Sequence, residues 1–319
     1  MNESLSSQQW YRNLLIGYEV ILTIILVAGY IGNFLNLVIF YRHKAIRPFT
    51  RILLLQLTVY DIFGLSLAGI HAEYMMANGG LDFRIGNRLL CQIHGYLSSI
   101  TLYGSQYTLG TVAIDRFLLI RYPTNPIIKS LNIKHGFLVC ISVLIANMLI
   151  NIAALNPVDL FGYLCVTPLI AEVWYCLIII FFYAIIPTAS TMIPSGMMIY
   201  QLNVHNRKLY TNNKQNSLSS HIWAIKMIII TSIYMSITFT GINTAMFLSY
   251  AGVFGSFNFL LQTIGYGSWV LLQSNCAVKF YLYNLSTSQF RRNFLKIIFN
   301  VNVRNENQIS QFSIANTKL

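Results

Sequence analysis

Several ionisable side chains lie within or at the ends of long apolar runs in this sequence. Among them are Asp61, the pair Asp115-Arg116, and Lys279. A charged group in an apolar environment is costly unless it has a partner, so these residues are candidates for function. The chemistry that they offer is ion pairing, and an ion pair that exchanges partners can act as a two-state switch.

The other reactive residues give no support to catalysis. Nucleophilic or metal-assisted chemistry needs histidines or carboxylates within bonding reach of one another. The histidines lie in loops or at the ends of apolar runs, and no metal-ligand spacing relates them: His43, His71, His94, His135, His205 and His221. We therefore expect a protein that is not an enzyme and that uses no metal and no cofactor.

The composition indicates the environment in which the chain folds. Hydrophobic residues make up 55% of the 319 residues and charged residues only 9%, which is more apolar surface than a soluble domain of this length can bury. The formal net charge is +12, but the basic residues are divided among short connections and do not form one basic face. The expected partner is thus the lipid bilayer, and we expect no nucleic acid.

Seven apolar runs are long enough to cross a bilayer as helices, which takes about 20 residues each. The connections are short, so the helices should pack as sequential neighbours. The prediction is an all-α membrane protein, a seven-transmembrane helix bundle, with spans at 16–41, 52–76, 89–120, 137–155, 173–202, 227–250 and 257–283.

The predicted organisation has four parts: an N-terminus at 1–13, the seven-transmembrane domain at 14–286, a short amphipathic eighth helix at 287–300 and a tail at 301–319. In the third part, apolar residues share one helical face and bases lie away from it. This pattern favours a helix on the membrane surface, with a disordered basic tail as the alternative. The apolar residues are Phe290, Phe294, Ile297 and Ile298, and the bases are Arg291, Arg292 and Lys296.

Orientation follows from the excess of Lys and Arg in the connections after the first, third, fifth and seventh spans. By the positive-inside rule, these connections and the C-terminus are cytoplasmic and the N-terminus is extracellular. The expected location is the plasma membrane, with multiple passes. Asn2 begins an N-glycosylation sequon, Asn-Glu-Ser.

From Gly32 to Phe294 the sequence resembles the rhodopsin-like G-protein-coupled receptors. The resemblance is carried by Gly32-Asn33 in the first span, Leu57-Thr-Val-Tyr-Asp61 in the second and Asp115-Arg116-Phe117 at the inner end of the third. Each motif is short, but their order and depth are specific. The resemblance implies a receptor that binds an extracellular ligand and activates a heterotrimeric G protein.

The resemblance also implies residue roles at the two ends of the third span. Cys91 stands at the family's disulfide cysteine, and its expected partner is Cys165, because no other cysteine lies in the second outer loop. In the family, the acid matched by Asp115 holds the arginine matched by Arg116 until activation releases it. Counting back from Phe290 places Tyr283 at the tyrosine that ends the seventh span.

A central polar pocket is a further implication, and here the chain departs from the family. The family surrounds a sodium ion with residues matched by Asn33, Asp61 and Ser105, together with polar groups on the sixth and seventh spans, such as Asn275. The family's Asn-Pro-x-x-Tyr motif has Lys279 at its asparagine and Phe280 at its proline. We infer that the Lys279 ammonium pairs with Asp61 and replaces the ion, with extension of Lys279 to the headgroups as the alternative.

Three other spans also depart from the family's pattern. Asn147 stands where the fourth span usually has a tryptophan. The fifth span keeps Pro187 but has Ser195 in place of a tyrosine, with a second helix breaker at Pro194. In the sixth span, Phe239 aligns with the family's tryptophan and Gly241 with its proline.

The expected ligand pocket is apolar and aromatic, with a few hydrogen-bonding groups. Ser98 replaces the aspartate of amine receptors, and Gln273 replaces the lysine to which opsins attach retinal. Acids at the rim, including Glu73 and Glu172, would favour a cationic ligand, and a short basic or amidated peptide is the leading hypothesis. The pocket residues are Ser98, Leu102, Phe239, Tyr266, Trp269 and Gln273.

Two other functions remain as alternatives. A chemosensory receptor for a small molecule would have the same fold. A transporter or channel would show repeated halves, helices broken at midmembrane or a file of polar groups through several spans, and the sequence has none of these.

Overall fold

The computed structural model describes residues 2–42, 47–77, 87–152, 160–161, 164–165, 180–209, 229–239, 241 and 259–286. The predicted surface helix at 287–300, the tail and Glu172 lie outside these ranges, as do the side chains of Asn2, Cys165, Tyr266 and Tyr283.

The described chain is helical apart from one hairpin. In chain order, we number the helices α1 (Asn2–Arg42), α2 (Pro48–Ala77), α3 (Arg88–Arg121), α4 (Pro126–Ser130), α5 (Ile133–Ile150), α6 (Ile186–Leu209), α7 (Ile229–Phe239) and α8 (Phe259–Ser286). Strands β1 (Leu160–Phe161) and β2 (Leu164–Cys165) pair in antiparallel register.

Proline and capping residues mark the first turns of α2 and α3. Arg47 precedes α2, and its carbonyl accepts the Arg51 N–H at 2.9 Å. Pro48 then fits the first helical position, where a missing N–H costs nothing. Asn87 caps α3 by accepting the Leu90 N–H at 3.0 Å. These caps fix where each long helix enters the bundle.

The fourth predicted span is displaced in the structure. Its helix, α5, begins at Ile133, four residues before the predicted start at 137, because Asn132 forms a capping box with His135. The α-helix ends at Ile150, where the prediction continued to 155, and a 3₁₀ turn covers 151–152. The segment predicted as the N-terminus, 1–13, is helical from its second residue, since α1 begins at Asn2.

The fifth span contains a change of helix type that hydropathy could not indicate. A π-helical segment, Ile180–Ile185, leads directly into α6. The prediction that Pro194 breaks the helix is wrong, because α6 continues through this residue. Membrane helices tolerate an internal proline where neighbouring groups satisfy the freed carbonyl.

The helices pack in a bundle with α3 near its centre. Helix α2 contacts α1, α3, α5 and α8, while α3 also contacts α5 and α6, and α1 contacts α8. Helix α3 is about 50 Å long, so it reaches from one end of the bundle to the other. We call these ends the Cys91 end and the Arg116 end, after the residues near the two termini of α3.

Side-chain exposure in this bundle suits lipid surroundings. Large apolar residues such as Phe34 and Leu138 are each 64% exposed, whereas Asn33 and Asp61 are each only 1% exposed. Within the described residues, three helical stretches are long and apolar enough to cross a membrane: Ile16–Arg42, Pro48–Tyr74 and Ile133–Ile150. Polar groups therefore meet one another inside the bundle, and this interior contains the candidate site.

Candidate functional site

A buried ion pair joins α2 to α8 in the middle of the bundle. The Nζ atom of Lys279 lies 2.6 Å from Oδ1 of Asp61, and the two side chains are 2% and 1% exposed. Leu57 and Leu65, which lie about one helical turn before and after Asp61 on α2, are apolar and buried. Such a pair compensates charges that would each be costly alone in an apolar interior.

Ser105 brings α3 into the same cluster. Its hydroxyl donates to Asp61 Oδ1 at 2.7 Å, and the ammonium of Lys279 donates to Ser105 Oγ. Ser105 thus donates once and accepts once, which satisfies its hydroxyl. The structure brings together Asp61, Ser105 and Lys279, three of the residues that the sequence assigned to the central pocket.

Two asparagines extend the cluster to the neighbouring helices. Asn33 of α1 donates from Nδ2 to the Cys276 carbonyl at 2.8 Å and to the Gly29 carbonyl at 2.9 Å. Asn275 of α8 donates to Thr238 Oγ1 of α7 at 2.6 Å. Polar side chains thereby tie α1 and α7 to the part of α8 that carries Lys279.

The sodium ion implied by the resemblance does not fit these residues. The ammonium group lies within hydrogen-bonding distance of the carboxylate and of Ser105, which are the groups that would have to bind the ion. Like charges at that distance repel strongly in an apolar interior. The chain therefore carries its own cation at Asp61.

At the Arg116 end, Asp115 has partners from a different part of the chain. Arg47 Nη1 lies 3.0 Å from Asp115 Oδ1, and Thr50 Oγ1 donates to Asp115 Oδ2 at 2.6 Å. Asp115 is buried and Arg116, its neighbour on α3, is partly buried. The sequence singled out Asp115 and Arg116 but missed Arg47 and Thr50. Arg47 belongs to the basic connection after the first span, which indicates orientation, and Thr50 carries no signal in the sequence.

Towards the Cys91 end, the predicted pocket residues form part of a mixed apolar and polar wall. Leu102 and Phe239 belong to one buried cluster, against which Trp269 packs. The rings of Tyr103 and Phe239 are 5.6 Å apart. Ser98 and Gln273 are also buried, whereas Glu73 is exposed. Helices α3, α7 and α8 therefore all contribute to this wall.

Three polar atoms in this wall have no hydrogen-bond partner among the described residues. They are Ser98 Oγ, Trp269 Nε1 and Gln273 Oε1, and all three are buried. Buried polar atoms in proteins are nearly always paired, so such atoms need a partner beyond the described residues. A hydroxyl, an N–H donor and an amide oxygen can together bind a ligand that offers both donors and acceptors.

The cysteines of α3, α5 and α8 differ in their bonding. Cys91 is disulfide-bonded, while Cys140 and Cys276 are free and buried. Cys165 lies in β2, and its pairing with Cys91 stays a prediction.

On α5, Asn147 donates to the Ile100 carbonyl of α3 at 2.7 Å. An amide thus joins two helices at the position where the family has a tryptophan.

Thr238 and the Tyr234–Ser274 hydrogen bond between α7 and α8 were also missed by sequence reasoning. A threonine or serine inside an apolar run is a weak signal, since its hydroxyl can bond to the carbonyl one turn earlier on its own helix. Thr238 does this as well, with the Tyr234 carbonyl at 3.1 Å. Tertiary contact alone distinguishes it from the other hydroxyl residues.

The fold and the buried polar cluster define a polytopic helical membrane protein with an ion-paired interior. Over residues 32–289, the sequence matches the family described as "7 transmembrane receptor (rhodopsin family)". The chain belongs to this family. Its members are multi-pass plasma-membrane receptors that signal and do not catalyse reactions, so the predictions of a receptor fold and of no enzyme activity are confirmed.

Several curated receptors are similar to part of the chain. Galanin receptor 2b of Danio rerio is 28% identical over 33% of this chain and 27% of its own length. Prokineticin receptor 1 of Homo sapiens is 33% identical over 33% of this chain and 26% of its own length. Prokineticin receptor 2 of Homo sapiens is 33% identical over 32% and 26%. The similarity therefore spans about a quarter of each of these receptors.

Proposed function

We propose that this receptor binds a short basic or amidated peptide from outside the cell and activates a heterotrimeric G protein inside it. The observation that carries the proposal is a group of three buried polar atoms in the wall near the Cys91 end that have no hydrogen-bond partner among the described residues: Ser98 Oγ, Trp269 Nε1 and Gln273 Oε1. A peptide offers amide donors and carbonyl acceptors at close spacing, which suits these three atoms. The relatives named above are by name receptors for galanin and for prokineticin, which supports an extracellular ligand of the same class.

Charge supports a cationic ligand at the Cys91 end. Glu73 is exposed near that end of α2, and Glu19 of α1 is buried. No described basic residue forms an ion pair with either acid. A cationic group of the ligand would supply the counter-charge that these acids lack among the described residues.

The proposed orientation places the Cys91 end outside the cell and the Arg116 end in the cytoplasm. Basic residues in the connections at the Arg116 end support it by the positive-inside rule, and the disulfide of Cys91 is compatible with an oxidising compartment. Asp115 and Arg116 then belong to the face that engages the G protein. Tyr283 and the surface helix at 287–300 are proposed to belong to it too.

The test is a reporter assay in cells that express a promiscuous G protein, with a panel of basic, amidated and neutral peptides and a panel of small molecules. We expect a response to a basic or amidated peptide and none from the Arg116→Ala variant at equal surface expression. A response to small molecules alone would favour a chemosensory receptor and contradict the peptide proposal.

Pocket variants then test the three atoms that carry the proposal. Ser98→Ala and Gln273→Leu should each raise the peptide concentration for half-maximal response by about tenfold, since each removes a hydrogen bond of the complex. Ser142→Ala is the matched control, because Ser142 is exposed on α5 and donates to Leu138 of its own helix. Equal sensitivity of all three variants and the unmodified receptor would show that the ligand binds elsewhere.

A further inference from the structure

Arg47 lies where three separate parts of the chain meet at the Arg116 end. It precedes the first residue of α2, and its guanidinium reaches both Asp115 at the end of α3 and the Ile128 carbonyl of α4. The distance from Arg47 Nη1 to Asp115 Oδ1 is 3.0 Å, and the side chains are 18% and 3% exposed. One side chain thus connects segments that are 68 and 81 residues away in sequence.

Contacts within the beginning of α2 restrict both the backbone and the side chain of Arg47. Its carbonyl accepts the first hydrogen bond of α2, from Arg51, and the following Pro48 has a restricted backbone. The guanidinium also lies 5.6 Å from the centre of the Phe49 ring, in cation–π range. The base of the side chain and its charged end are therefore both held.

The connection between α3 and α5 needs such a contact because α4 is very short. This helix has only five residues, Pro126–Ser130, so its last carbonyls cannot all find partners within it. Asn125 satisfies the beginning of α4 by accepting the Ile127 N–H at 2.9 Å. The Arg47 guanidinium supplies a donor to the carbonyl of Ile128, the middle residue of α4.

Asp115 is held by two groups from the beginning of α2. Oδ1 of Asp115 accepts a hydrogen bond from the guanidinium of Arg47, and Oδ2 accepts one from the Thr50 hydroxyl at 2.6 Å. The carboxylate and the Ile128 carbonyl both accept from one arginine, whose planar fork can satisfy two acceptors at once. Lysine, a single compact charge, cannot reproduce that geometry.

We propose that Arg47 is a positioning residue that fastens the α3–α5 connection, including α4, to the Arg116 end of α3, and so prepares the surface that binds the G protein. We call Arg47, Thr50, Asp115 and the Ile128 carbonyl the Arg47 clamp. The part of this inference that concerns coupling rests on the proposed function. The part that concerns the position of α4 does not.

Hydrogen–deuterium exchange of the full receptor in lipid nanodiscs tests the clamp without any ligand. Arg47→Gln should speed amide exchange in residues 124–130 by about tenfold, since it removes a charge-assisted contact to a short helix. Arg47→Lys should give an intermediate increase, because it keeps the charge and loses the fork. Exchange in the interior of α5 should not change.

The matched control is Arg51→Gln, which removes the same charge one turn further along α2. Arg51 is partly buried and forms no ion pair with the described residues. Its loss should leave exchange in residues 124–130 unchanged. Equal exchange in the Arg47→Gln and Arg51→Gln variants would overturn the clamp.

Coupling is measured as the affinity of each nanodisc sample for nucleotide-free heterotrimeric G proteins of several subtypes. Arg47→Gln should weaken the best of these complexes several-fold relative to Arg51→Gln, with recovery in part by Arg47→Lys, because a loosened surface must be ordered again on binding. Unchanged affinity despite faster exchange would overturn the role in coupling. If the unmodified receptor binds no G protein while the exchange results hold, the proposed function fails and the clamp stands.

Discussion

The ammonium of Lys279 and the carboxylate of Asp61 are 2.6 Å apart, and both side chains are almost completely buried between α2, α3 and α8. In an apolar interior neither charge is stable without the other. Ser105 bonds to both. The residues that would surround a mobile cation in related receptors thus surround a cation that is covalently part of the chain.

Removal of either charge should destabilise the receptor strongly. Lys279→Met should lower the free energy of unfolding by about 3–5 kcal/mol, because it leaves a buried carboxylate without its counter-charge. The double variant Lys279→Met with Asp61→Asn should recover much of that loss. Thermal melting in nanodiscs measures both effects, and strictly additive losses would show that the two residues do not depend on each other.

Sodium should have no specific effect on the receptor. We expect equal melting temperatures in sodium chloride and in N-methylglucamine chloride at the same ionic strength, since Lys279 occupies the position at Asp61. Lys279→Asn should produce a receptor that sodium stabilises. The idea that the ammonium replaces the ion is wrong if the unmodified receptor responds to sodium or if this variant, folded, is indifferent to it.

Helix α7 should depend on Thr238 for part of its attachment to α8. Thr238→Val keeps the shape of the side chain but leaves the Asn275 amide without the acceptor at 2.6 Å, at a cost of about 1–3 kcal/mol. The melting temperature should fall by several degrees. Ser142→Ala, which removes a hydroxyl from the exposed face of α5, is the control and should have no comparable effect.

Close packing of α3 should make Gly104 intolerant of substitution. A Cβ atom there would lie 2.7 Å from Tyr60 Cζ and 2.9 Å from Asn147 Nδ2, so Gly104→Ala should cost about 1–3 kcal/mol through overpacking. Gly95→Ala on the same helix meets nothing within 4 Å and should be neutral or slightly stabilising. Similar melting temperatures for the two variants would contradict the observed approach of α2 and α5 to α3.

Much of the architecture follows from sequence because the bilayer leaves few options. An apolar run of sufficient length must be a helix there, so the positions of α2, α3 and α8 and the end of α1 could be predicted closely. Helix ends were less predictable, since local caps decide them. The capping box at Asn132 starts α5 before the apolar run begins. Hydropathy does not distinguish a π-helix from an α-helix, so it gives no signal for the π-helical segment before α6.

By itself, the sequence determined that Asp61 and Lys279 must find partners, because a lone charge in an apolar span is costly wherever the span lies. It could not determine the partners of Asp115. Arg47 precedes α2 among bases that have an obvious explanation as orientation signals, and Ile128 contributes a carbonyl that every residue type has. Only the tertiary structure decided that this arginine, this acid and this carbonyl meet, because the packing of α2 against α3 brings distant ends of the chain together.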